Sequence, residues 1–171
     1  MTRTIVRTIC LATLFLCLPA IAPAQGHRAC SNASVAGTWG YTETGTVMSP
    51  TAGPVLVAAV GTYTFDRAGN FSGTQTSSTG GKVSLDTKLG TYAVNDDCTA
   101  TLMLSVYDQS GATLLRESTW EIVLVEKGTE IRGIMSSLVV VLPTRTPVPP
   151  IVTLSAKRLF PGRLGSGQSE R

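Results

Sequence analysis

Histidine is almost absent from this chain: His27 is the only one in 171 residues, and charged residues make up 15% of the sequence. A zinc site needs about four nitrogen, sulfur or carboxylate ligands, which one histidine and two cysteines expected to be joined in a disulfide do not supply. No metal or cofactor is therefore expected. Basic and acidic residues are interspersed, without the cluster that a nucleic-acid surface requires. After residue 24 no apolar run approaches the roughly 20 residues of a membrane helix, so no stable membrane insertion is expected. The sequence also lacks a Cys-x-x-Cys pair, a phosphate loop and any sustained helical period.

The one long apolar stretch is at the start. Arg3 and Arg7 precede the nearly uninterrupted apolar run Ile9 to Ile21, and Ala22-Pro23-Ala24 offers small residues for cleavage before Gln25. Residues 1–24 thus read as a secretory signal peptide, and the mature chain as secreted or periplasmic. Losing Arg3 and Arg7 lowers the formal charge from +3 to +1. Cys10 and Cys17 leave with the leader, which puts Cys30 and Cys98 alone in an oxidising compartment, where they are expected to form a disulfide.

Residues 25–35 form a polar N-terminal arm, and His27 within it reads as solvated. From there turn clusters punctuate the chain regularly, with β-branched or alternating stretches between them. Eight strands result, near residues 36–47, 55–65, 71–78, 82–94, 98–107, 112–125, 129–141 and 151–158. Ser49 to Pro54 and the proline-rich Pro143 to Pro150 read as loops. Asp66 to Asn70 reads as a tight hairpin connection, and Asn95-Asp96-Asp97 as a turn rather than a cation site. The polar stretch 159–171 reads as a disordered tail. Eight sequential antiparallel strands leave two bare edges unless the sheet closes. The expected fold is therefore all-β, an eight-stranded antiparallel up-and-down barrel spanning residues 36–158, without significant helix after the leader.

Gly37-Thr38-Trp39 on the first strand resembles the Gly-x-Trp signature of the lipocalins, and Arg158 at the end of the last strand resembles their C-terminal arginine. The resemblance implies that Trp39 and Arg158 close one barrel end while the other admits a small hydrophobic ligand. Gly90-Thr91-Tyr92-Ala93-Val94 followed by Asp97-Cys98 is also similar to small exported bacterial barrels of uncharacterised function. The fold of those proteins is similar to lipocalins and to allene oxide cyclase barrels.

Period-2 alternation carries the face of Trp39 and Tyr41 on to Glu43, and the face of Trp120 and Ile122 back to Arg116. If these faces point inward, Glu43 and Arg116 are free to pair across the lumen or to orient a polar ligand group. Tyr41, Tyr63, Phe65, Tyr92, Trp120 and Met135 are candidate cavity walls. Three functions stay open at this point. The first is an exported barrel that binds a small apolar molecule. The second is a filled barrel with a structural or interaction role in the envelope, and the third is a barrel-type cyclase or isomerase.

Overall fold

The computed structural model describes residues 29–159; the leader, His27 and the tail beyond residue 159 lie outside the described residues. Eight long strands follow one another with short connections: β1 (Gly37–Ser49), β2 (Gly53–Phe65), β3 (Asn70–Thr79), β4 (Lys82–Val94), β5 (Thr99–Asp108), β6 (Leu114–Val125), β7 (Glu130–Val140) and, after a two-residue strand β8 (Thr146–Pro147), β9 (Pro150–Arg158). Every neighbouring pair is antiparallel, and β9 pairs with both β7 and β1, which closes the sheet. The result is the eight-stranded up-and-down barrel that the spacing of turn residues predicts, without the bare edges of an open sheet.

The turns form for local reasons. At the β2–β3 hairpin Asp66 Oδ1 accepts the Asn70 backbone N–H at 2.8 Å, while Gly69 takes a φ of +98° that disfavours other residues. In the turn before β5, Asp97 Oδ1 accepts the Thr99 N–H at 3.0 Å. Two segments differ from the sequence reading. The Ser49 to Pro54 loop shrinks to residues 50–52, because β1 and β2 stay paired as far as Ser49 and Gly53. The Pro143 to Pro150 loop is not wholly irregular: Thr146 and Pro147 pair with Val140 and Val139.

The last part of the arm is also folded. Residues Asn32–Val35 make one helical turn, α1, whose Ser34 hydroxyl accepts the Ser31 backbone N–H at 3.1 Å. Cys30 and Cys98 form a disulfide that ties this turn to the β4–β5 connection, across 68 positions of sequence. Val35 is fully buried and seats the helix in one end of the barrel. Above it Phe65, Phe71 and Tyr92 pack edge to face or tilted, with ring centroids 5.0 to 6.5 Å apart. This end is a conventional apolar core, completed by Ala100, Leu102, Ile122, Leu124, Ile131 and Ala156.

Candidate functional site: a half-hollow barrel with a polar floor

Cross-strand rows set the interior. One runs Trp39–Tyr63–Gly73–Lys88, the next Tyr41–Gly61–Gln75–Asp86, and a third Glu43–Ala59–Ser77–Ser84. In the first two rows a glycine interrupts larger residues, and in the third small residues follow Glu43, so long polar side chains meet over them. At Gly61 an added Cβ would lie 2.1 Å from the Thr74 carbonyl oxygen and 2.8 Å from the Tyr41 hydroxyl, so glycine is what the close approach of β3 and of the tyrosine requires. The Tyr41 and Tyr63 rings stack at 4.1 Å, and the Lys88 ammonium sits 4.6 Å from the Tyr41 ring centroid.

The polar groups in this layer satisfy one another. Lys88 Nζ donates to Glu43 Oε1 at 2.6 Å and to the Tyr63 hydroxyl at 2.8 Å, and that hydroxyl donates to Glu43 Oε1 at 3.1 Å. Tyr41 donates to Gln75 Oε1 at 3.1 Å, and Gln75 Nε2 donates to Asp86 Oδ2 at 2.6 Å. Ser77, Ser84 and Arg116 complete the shell of Asp86 at 2.8, 3.0 and 3.0 Å. Among the described residues no buried side-chain nitrogen or oxygen lacks a hydrogen-bond partner.

Burial shapes the acidities here. It pushes the Lys88 ammonium below the usual lysine range, against the attraction of Glu43. It raises both Tyr41 and Tyr63, with Glu43 adding to the effect, so both phenols stay protonated. Burial also opposes ionisation of Asp86, but the donors from Gln75 and Ser77 and the Arg116 charge outweigh it and hold that carboxyl below its ordinary value.

Glu43 and Arg116 do not pair with each other. Each is taken by a residue of β4: Glu43 by Lys88, Arg116 by Asp86. The register supplies the reason, because β4 turns Asp86 and Lys88 inward, where the sheet brings them into the same rows as Gln75 and Tyr63.

Beyond this layer, toward the end where the β1–β2, β3–β4, β5–β6 and β7–β9 connections gather, the interior is hollow. A cavity of about 440 Å³ opens there. Its floor carries Glu43, Gln75, Ser77, Ser84 and Arg116, and its walls include Val47, Val57, Ala59, Met135, Leu138 and Val152. Lys82 and Leu142 stand at the mouth. Irregular pairing builds one wall. Between β6 and β7 the register shifts so that Ser136 is left over, and residues 131, 133 and 135 face inward before it, 138 and 140 after it.

Of the eight residues the sequence marks as ligand-facing, Glu43, Arg116 and Met135 line the cavity, while Phe65 packs on Phe71 and Tyr92 in the core of the opposite end. Tyr41 and Tyr63 lie in the polar layer, bonded to Gln75 and Glu43, and do not line the cavity. Tyr92 lies at the opposite end, where its hydroxyl donates to the carbonyls of Asp66 and Asn32. Trp120 is buried in the wall, its Nε1 donating to Ser118 at 3.1 Å. Trp39 and Arg158 meet at the end that α1 plugs. The guanidinium lies 4.5 Å from the Trp39 ring and donates to the Ala36 and Ser34 carbonyls at 2.6 and 2.7 Å, while Trp39 Nε1 donates to the Val35 carbonyl at 2.7 Å.

Sequence reasoning passed over Lys88, Asp86, Gln75, Ser77 and Ser84. A signal was present: stepping back by twos from Tyr92 on β4 reaches Lys88 and Asp86. The apolar Val83, Leu85 and Leu89 of the same strand masked it, because they face outward and invert the expected pattern.

No family model and no curated protein matches the chain. Among solved structures it is similar to EF1p2_mFAP2b bound to DFHBI, at a TM-score of 0.46 and 14% identity over 77% of this chain and 98% of that one. It is also similar to Rv2717c from M. tuberculosis, at a TM-score of 0.37 and 16% identity over 74% of this chain and 94% of the other.

Proposed function

We propose that this chain is an exported barrel that holds a small, mainly apolar molecule in the cavity at its open end. The observation that carries the reading is the division of the interior. One half is packed solid with aromatic and aliphatic side chains, and the other is an apolar-walled space of about 440 Å³ over a floor of polar groups. Such a space falls in the range of roughly 300 to 1,000 Å³ usual for small-molecule sites, and the mix of apolar walls with a few fixed polar groups is theirs as well. A barrel with a filled interior, the structural alternative, has no use for such a space. The leader-like residues 1–24 and the Cys30–Cys98 bond favour export.

Native mass spectrometry of the protein taken from its own host's extracytoplasmic fraction tests this reading. Excess mass that denaturation releases as one small molecule supports it, as does loss of that mass in Ala59→Phe, where the new ring occupies the cavity. An apo mass in the wild-type protein, with no uptake from a panel of apolar and amphipathic compounds, overturns it.

A further inference from the structure

The Arg116 guanidinium is the one charged group of the floor whose hydrogen-bonding capacity is mostly unspent. Among the described residues its side chain makes a single hydrogen bond, from Nη2 to Asp86 Oδ2 at 3.0 Å. A guanidinium carries five N–H donors in a rigid fork, so four remain. The side chain is 27% exposed, and the residue lines the cavity. Its partner does not depend on it: Asp86 keeps donors from Gln75, Ser77 and Ser84 at 2.6, 2.8 and 3.0 Å.

Charge points the same way. Glu43 is balanced by Lys88, and Asp86 by Arg116, which leaves the interior pairs neutral. Lys82 at the mouth then adds a cation with no acid beside it among the cavity-lining residues other than the already paired Glu43. A single negative charge in the cavity restores the balance. The apolar walls also lower the dielectric around an anion bound there, which strengthens charge-assisted hydrogen bonds.

Resting on the cavity reading above, we propose that the ligand is an amphipathic monoanion: its carboxylate is held by the free N–H groups of Arg116, and its apolar chain lies among Val47, Val57, Met135, Leu138 and Val152. Arg116 is then the residue that selects the ligand's head group, and Lys82 attracts it at the entrance. At about 30 Å³ per water molecule the cavity has room for about 15 waters, which accommodates a medium-length acyl chain.

The test compares sodium decanoate with decan-1-ol, which share a chain and differ in charge, by calorimetric titration of the oxidised full chain at neutral pH. The expected result is a preference for decanoate of at least about tenfold, since hydrogen bonds to a charged group exceed neutral ones by that margin. Arg116→Gln removes the preference, and Arg116→Lys retains part of it. Near-ultraviolet circular dichroism verifies that each variant is folded. If Arg116→Gln does not fold, the Lys variant and the salt dependence of wild-type decanoate binding decide in its place.

Equal affinity for the two compounds overturns the anion proposal and leaves the cavity reading standing. Preference for decanoate that survives loss of the guanidinium overturns the assignment to Arg116. Failure of both compounds to bind overturns the proposal and counts against the cavity reading too.

Discussion

Lys88 Nζ lies 2.6 Å from Glu43 Oε1, in a layer where the lysine side chain is 1% exposed. The ammonium has no water to fall back on, and the carboxylate, 11% exposed on the cavity floor, has little, so each supports the other's burial. Lys88→Met strands the glutamate and should destabilise the protein by about 3 to 5 kcal/mol. Adding Glu43→Gln should recover most of that loss, because a neutral amide no longer needs a counter-charge. Urea denaturation of the wild type, both single variants and the double variant measures the coupling. Additive effects would show that the pair is not a unit.

Asp86 should make stability depend on pH at the acidic end. Its folded acidity is held below the ordinary carboxylate value, so between the two values the unfolded chain binds more protons than the native one. Stability from this group is therefore complete above the unfolded value and is lost as pH falls through the folded one. Urea midpoints measured between about pH 2 and pH 6 should decline toward acid, and less steeply in Asp86→Asn. Equal slopes in the two proteins would place the acid sensitivity elsewhere.

Removing the disulfide should loosen the plugged end and spare the open one. Its 68-residue separation corresponds to about 4 kcal/mol in the chain-entropy model. Cys30→Ala with Cys98→Ala should lower stability by roughly that amount. Hydrogen exchange should rise first at α1 and at the Val94 amide, which bonds to the Asn32 side chain at 3.0 Å. Uniformly faster exchange through β1 to β9 would mean that the bond holds the whole barrel rather than its plug.

Arg158→Ala should cost about 2 to 3 kcal/mol, because two hydrogen bonds from a charged donor and the contact with the Trp39 ring disappear together. Trp39 emission should shift to the red as the plug loosens. Decanoate affinity should hold, since Arg158 is at the far end from the cavity. A parallel loss of affinity would show that the two ends are coupled.

The architecture was largely legible because turns in this chain announce themselves. Asp66 to Asn70, Gly80-Gly81 and Asp108 to Gly111 interrupt alternating stretches at nearly even spacing, and period 2 needs no knowledge of tertiary structure. The inward faces of β1 and β6 were legible for the same reason, through Trp39, Tyr41 and Glu43 and through Trp120 and Ile122 back to Arg116. Partners were not. Lys88 reaches Glu43 across two intervening strands, and it does so past the missing side chain of Gly73, a relation that only the register reveals. Nor does alternation distinguish a filled from a hollow lumen. Tyr92 and Met135 both point inward, and their distance along the barrel axis, not their face, decides which of them meets the cavity.

The leftover Ser136 on β7, whose hydroxyl donates to the Thr119 carbonyl at 3.2 Å, sits just before the run Leu138-Val139-Val140-Val141-Leu142. In that run either phase of the strand offers branched aliphatic side chains to the lumen. A one-residue slip, ruinous in a strand that alternates oil with charge, here trades one aliphatic lining for another. One wall of the cavity is thus built in a strand whose aliphatic character does not depend on its phase. Gaining or losing a residue near position 136 should therefore remodel the contour of the chamber while the eight staves stay closed.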